Sequence, residues 1–115
     1  MSIFLSAYVG RTSQHTLSLL DQAGDLITID TETPDRILLR IFRTGGEALV
    51  EVSSFAATAA GSTLTLANPT TLVLGEGDLD LDPGAYDCEA ILVDGDDDGR
   101  IKHADTGVFM LHGSS

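Results

Sequence analysis

A strand that opens on a turn constrains this chain more than any other feature. In Asp82-Pro83-Gly84-Ala85-Tyr86-Asp87-Cys88 a Pro-Gly pair stands directly before an alternating run. Tyr86, Cys88, Ala90 and Leu92 take one side of that run; Asp87, Glu89, Ile91 and Val93 take the other. Pro83 presets its own φ and Gly84 accepts a positive φ, so the chain can reverse and enter a sheet at once. A period of two, with apolar side chains on one side, is the pattern of a half-buried strand.

Similar signals recur along the whole sequence, separated by Gly, Pro, Asp and Asn clusters. Residues 2–9 read as a first strand. Residues 15–20 and 26–30 flank a hairpin-like turn at Asp21-Gln22-Ala23-Gly24-Asp25. Residues 35–43 follow Pro34 and stop at Gly45-Gly46; residues 48–53, 62–67, 70–74 and 84–93 come next. Residues 99–112 carry the last one or two strands. Val, Ile, Thr and Leu in alternation favour strands over helices. The helix-compatible stretch is residues 55–60, and Gly77-Asp78-Leu79-Asp80-Leu81 reads as one turn or an extended connection. Strands this close together, without helices between them, predict an all-β sandwich or barrel in one domain over residues 1–115. Gly113-Ser114-Ser115 reads as a frayed tail.

Composition narrows the function classes. The chain carries a net charge of −12. That argues against a nucleic-acid backbone or an anionic membrane as partner, since both are polyanions. No apolar run reaches the length of a membrane span. The start Met-Ser-Ile-Phe lacks the basic and long apolar regions of a signal peptide. The one cysteine, Cys88, alternates with apolar positions and reads as a buried, inert thiol. Charge is also uneven along the chain. No Lys or Arg occurs between Arg43 and Arg100, while acidic residues crowd positions 76–98. A solvated acidic face, a cation site and a dock for a basic partner all fit that crowding.

Two segments hold candidate sites. Asp94-Gly95-Asp96-Asp97-Asp98-Gly99 places carboxylates at the first, third and fifth positions before a glycine, with Ile101 and Asp105 further on. That spacing follows the calcium loop of EF-hands, because calcium takes several hard oxygen ligands. The last position is Asp105 and not Glu, and the run before it is a strand and not a helix. An acidic hairpin loop without a cofactor is therefore the expected form, with Asp94, Asp96, Asp98 and Asp105 as the calcium alternative. The strand at 35–43 carries the second signal. Ile37, Leu39 and Ile41 face the core, which leaves Arg36, Leu38, Arg40 and Phe42 on the other face. Arg and Phe are enriched at protein interfaces, so these four form the expected docking surface. Catalysis has no comparable signal. His15, His103 and His112 each lie in or beside a strand, outside any nucleophile motif, and an enzyme is not expected.

The order of these signals resembles a known family. Tyr86, two residues before a buried strand position, is similar to the corner near the start of strand F in immunoglobulin-like sandwiches. Asp82-x-Gly84-x-Tyr86-x-Cys88 even matches the antibody variable-domain pattern, but there is no second cysteine and no tryptophan. Further landmarks are Gly10, the Asp21–Gly24 hairpin, the arginine-bearing strand Ile37 to Arg43 and the turn at Gly61-Ser62. Leu81-x-Pro83-Gly84-x-Tyr86 follows, then Ile91-Leu92-Val93-Asp94 and the closing Gly107-Val108-Phe109-Met110-Leu111. Together they resemble the immunoglobulin-like N-terminal domain of phage upper-baseplate proteins and small standalone phage virion proteins of that type. The long downstream region of upper-baseplate proteins is not in this sequence.

The resemblance implies an immunoglobulin-like antiparallel sandwich of about seven to eight strands. It also implies a structural role in a tailed-phage virion, as an adaptor, a capsid decoration or a baseplate or tail component. Other virion proteins and further copies of the chain would be its partners, with synthesis in the host cytoplasm. The alternative is a calcium- or carbohydrate-binding β-module of a surface protein.

Overall fold

The fold is described by a computed structural model that covers residues 3–30, 32, 35–43, 45–95 and 100–113. Among these residues there are eight strands and no helix. They are β1 (Ile3–Tyr8), β2 (Ser13–Leu17), β3 (Arg36–Phe42), β4 (Ala48–Ser53), β5 (Thr63–Leu64), β6 (Thr70–Leu74), β7 (Gly84–Val93) and β8 (Ile101–His112). Five form one sheet in the order β1-β8-β7-β3-β4; three form a second in the order β2-β6-β5. The two sheets share one apolar core and make a β-sandwich.

Alternation explains how the core is filled. In β3 Ile37, Leu39 and Ile41 are fully buried, and in β7 Tyr86, Cys88, Ala90 and Leu92 point the same way. Phe109 and Leu111 complete the large sheet's inner surface. Leu17, Leu64, Leu72 and Leu74 face them from the small sheet. Each such side chain contributes about 1.5–3 kcal/mol on burial. Leu19 and Leu79 add to the core from connecting segments.

One pairing departs from the antiparallel expectation. β1 runs parallel to β8, with Ile3 opposite Gly107 and Tyr8 opposite His112. Parallel neighbours need a long connection, and here the intervening strands supply it. The pairing is very close at its start. A Cβ at position 107 would lie 1.8 Å from the Ile3 carbonyl oxygen, so only glycine fits there.

Expected and observed strands agree at 48–53, 70–74 and 84–93. Two expected strands are corrected, and the helix-compatible stretch stays non-helical. Residues 26–30 form no strand. The turn before them is present, closed by the Asp21 N–H donating to the Asp25 carbonyl, but the arms share only the Leu20–Leu26 bridge. The Asn68 side chain replaces a ladder: it accepts from the Leu19 N–H and donates to the Leu19 and Ile27 carbonyls. Residues 62–67 shorten to β5, because the Thr65 carbonyl accepts from the Ala67 N–H and the Thr70 hydroxyl and the chain turns there. Residues 55–60 are not helical. Ser53 bridges to Ala56, and the Thr58 N–H donates to Ser62, so the chain turns there without a helical ladder.

The Pro-Gly corner is built as the spacing suggests. Tyr86 is buried and its hydroxyl donates to the Asp82 carbonyl. Its ring lies 6.3 Å from the Phe109 ring, and the Arg43 guanidinium stacks 4.9 Å from its centroid.

Candidate docking face on the five-stranded sheet

The outward residues of β3 are the starting point. Arg36, Leu38, Arg40 and Phe42 all face away from the core and all are half-buried. Register sets their neighbours. Arg40 lies between Glu51 of β4 and Glu89 of β7; Leu38 lies between Ser53 and Ile91; Arg36 lies beside Val93. Phe42 pairs with Ala48 and Asp87, where a bulge shifts β4.

Those neighbours decide the electrostatics. The Arg40 Nε donates to Glu51 at 3.0 Å, and a terminal nitrogen donates to Glu89 at 3.2 Å. The bond to Glu51 is the largest effect on the Arg40 pKa and raises it; burial opposes the shift, and the bond to Glu89 and both carboxylate charges add to the rise, which prevails. Both pairs remain part-exposed, so each is worth only about 0–1 kcal/mol in stability. Their consequence is local neutralisation of the Arg40 charge. Arg36 is placed differently, with its guanidinium 5.6 Å from the Phe55 ring centroid. Arg43 leaves this face for the Tyr86 corner, where it is 3.8 Å from Asp82.

Two further apolar residues belong to the face and were not singled out in the sequence. Phe55 is 65% exposed and Ile101 is 57% exposed. Between them is a hollow of about 400 Å³, lined also by Leu38, Ile91 and Val93 and by the charged Arg36, Arg40 and Glu51. Ile91 and Val93 are buried although they point outward. Ile101 could have been found from its position opposite the start of an acidic turn; Phe55 had no periodic signal, because it follows the end of β4. Beyond the Arg40 pairs, Phe4 and Val108 are exposed side by side across the β1–β8 pairing.

The remaining candidates lie elsewhere. Asp94 bonds through its N–H to the Arg100 carbonyl and lies 3.7 Å from the Arg100 side chain. Asp105 is buried within β8, opposite Ala90, and its carboxylate is 2.9 Å from His103 Nε2. Asp96 and Asp98 lie outside the described residues. Among the described residues no group of three or more His, Cys, Asp or Glu side chains is placed to hold a metal ion. Millimolar calcium is expected to leave the melting temperature unchanged, since only a ligand of the folded state raises it. A calcium-dependent rise, lost in the D94N/D96N/D98N variant, would establish a cation site instead.

His15 bonds Ser13, and burial lowers its pKa. His112 bonds Ser6 and packs 5.3 Å from the Tyr8 ring. Burial pushes the Cys88 thiol up to about 11, and the Asp87 charge adds to the shift, which leaves little thiolate at neutral pH.

No protein-family model matches the chain, and no curated protein matches it.

Proposed function

We propose that the chain is an immunoglobulin-like β-sandwich that serves as a non-enzymatic structural component of a tailed-phage virion. Its work is docking through the outer face of the five-stranded sheet. The observation that carries the docking reading is the apolar content of that face, with Phe55 and Ile101 projecting beside a hollow and Phe42 further along β3. Aromatic side chains and arginines on one surface suit a protein interface.

The strand order supports the immunoglobulin-like reading. A first strand parallel to the last heads a sheet that continues through β7, β3 and β4, opposite β2-β6-β5. The bonded Tyr86 corner at the start of β7 supports it as well. The virion assignment rests on the order of turn and strand signals along the sequence.

The test is quantitative mass spectrometry of density-purified particles from a lysate of the host that encodes the chain. The chain is expected at a fixed ratio to the other particle proteins, and its absence would overturn the assignment. Phe42→Glu should reduce incorporation at least about tenfold, the scale of a buried interface anchor. Arg40→Glu is a poor probe, because it would set a third carboxylate between Glu51 and Glu89 and disturb the free chain.

A further inference from the structure

We propose that the first half of β8 is a strand-addition site for an extended, basic segment of another protein. The site is separate from the outer face and does not depend on the docking reading. Backbone, cavity and charge each point to it.

The backbone sets the mode of binding. β8 is 12 residues long, but β1 pairs with it only from Gly107, opposite Ile3, to His112, opposite Tyr8. The Val9 N–H donates to the His112 carbonyl, so His112 directs its backbone groups to the β1 side. The ladder to β7 is unshifted from Leu111 back to His103, and alternation therefore turns the backbone groups of Ala104 to that same side. Ala104 lies before the start of β1, and it is exposed. Among the described residues no backbone bond reaches it from there. An open stretch of sheet edge is completed by another extended backbone. β1 shows that this edge of β8 accepts one.

A cavity lies beside the open stretch. A hollow of about 550 Å³ separates residues 102–105 from the segment 20–27. Leu20, Asp21 and Ile27 line one side of it, and His103 and Asp105 line the other. His103 and Asp105 stand opposite Leu92 and Ala90, on the inner face of the large sheet. A strand laid along Ala104 would send alternate side chains into this hollow.

Charge selects those side chains. The Lys102 ammonium is already held by Asp35 at 2.9 Å. Asp21 spends one oxygen on the Ala23 and Asp25 N–H groups, and its carboxylate and that of Asp105 keep the hollow acidic. Among the described residues His103 Nε2 has no hydrogen-bond partner, although an Asp105 oxygen is 2.9 Å away. An enclosed polar group in that position is costly, and a bound hydrogen-bonding group relieves it. Lysine and arginine bring several N–H donors, and their apolar stems suit Leu20 and Ile27. The net charge of −12 attracts such a segment and repels an acidic one.

NMR titration of the full chain tests the proposal with three short peptides, acetylated and amidated. They are an alternating Val-Arg repeat, the same repeat with its valine nitrogens methylated, and a Val-Glu repeat. The Val-Arg peptide is expected to bind with a dissociation constant between about 10 µM and 1 mM, shifting the amides of residues 101–106 and 20–27 most. The methylated peptide keeps the charge but loses backbone donors, and should bind at least about tenfold more weakly. The Val-Glu peptide should leave the spectrum unchanged. Ala104→Pro removes the outward N–H and spares the β7 ladder, so it should abolish binding with the fold retained by circular dichroism. D21N/D105N keeps the edge and should weaken the Val-Arg peptide at least about fivefold. No shift at millimolar Val-Arg peptide, equal binding of the methylated or the Val-Glu peptide, or shifts centred on Phe55 or Phe4 would each overturn the proposal. Binding indifferent to both Ala104→Pro and D21N/D105N would overturn it as well.

Discussion

Truncating Tyr86 to alanine is expected to lower stability by about 3–5 kcal/mol, the range for large buried aromatics. The ring is almost fully enclosed, against Phe109 on one side and under Arg43 on the other. Removing it opens a cavity at the point where the chain enters β7, the strand that joins β3 to β8. It also removes the hydroxyl that donates to the Asp82 carbonyl and accepts from Arg43 at 3.3 Å. Tyr86→Phe separates the two contributions. That variant keeps the ring and should lose about 0.5–1.5 kcal/mol, the net worth of an ordinary hydrogen bond. Urea unfolding of the three proteins measures both steps. An alanine variant within about 1 kcal/mol of the parent would show that the corner is dispensable.

The second large effect concerns Asp35, at the other end of the sandwich. Its side chain is fully buried, and its oxygens accept from the Asp30 N–H at 2.9 Å, the Gly95 N–H at 3.1 Å and the Lys102 ammonium at 2.9 Å. One carboxylate thus ties the segment before β3, the loop after β7 and the start of β8. Asp35→Ala strands these donors and should cost about 2–4 kcal/mol, below the cost of splitting a wholly buried pair because Lys102 keeps some contact with solvent.

Protonation should act in the same direction. Burial pushes the Asp35 carboxyl up, but the bonds from Asp30, Lys102 and Gly95 and the Lys102 charge outweigh it, so its pKa lies below the ordinary 3.8. A depressed carboxylate contributes its full stability above the unfolded pKa and loses it as pH falls through the folded one. The gap between parent and Asp35→Asn should therefore be constant near neutrality and narrow below about pH 4. Lys102 has the opposite sign. The bond to Asp35 raises its pKa, burial opposes the shift, and the neighbouring carboxylate charges add to it. Its contribution persists below the ordinary 10.5 and is lost as pH climbs through the higher folded value. Urea midpoints measured across the acid range check the Asp35 half. A gap unchanged at low pH would show that Asp35 does not titrate with folding.

Interaction partners were legible only in part. Alternation assigned Arg36, Leu38, Arg40 and Phe42 to the outward face, and they stand there. It did not show that the Arg40 charge is neutralised: Glu51 and Glu89 come from strands far apart in sequence and meet Arg40 only across the sheet. Phe55 was invisible to a periodic reading because it lies past the end of β4 and reaches the face through its contact with Arg36.

Local chemistry in the sequence determined the strand-rich class, the inward sides of β3 and β7, and the Tyr86 corner. Each depends on residues within a few positions of one another, through period-two alternation or the angles of Pro83 and Gly84. Tertiary structure alone decided the parallel pairing of β1 with β8, the closure of the 20–26 hairpin by Asn68 and the Asp35–Lys102 tie. It also decided which charges are neutralised and which apolar side chains stay exposed. Spacing states which way a side chain points, but its neighbour is chosen by packing elements that are distant along the chain.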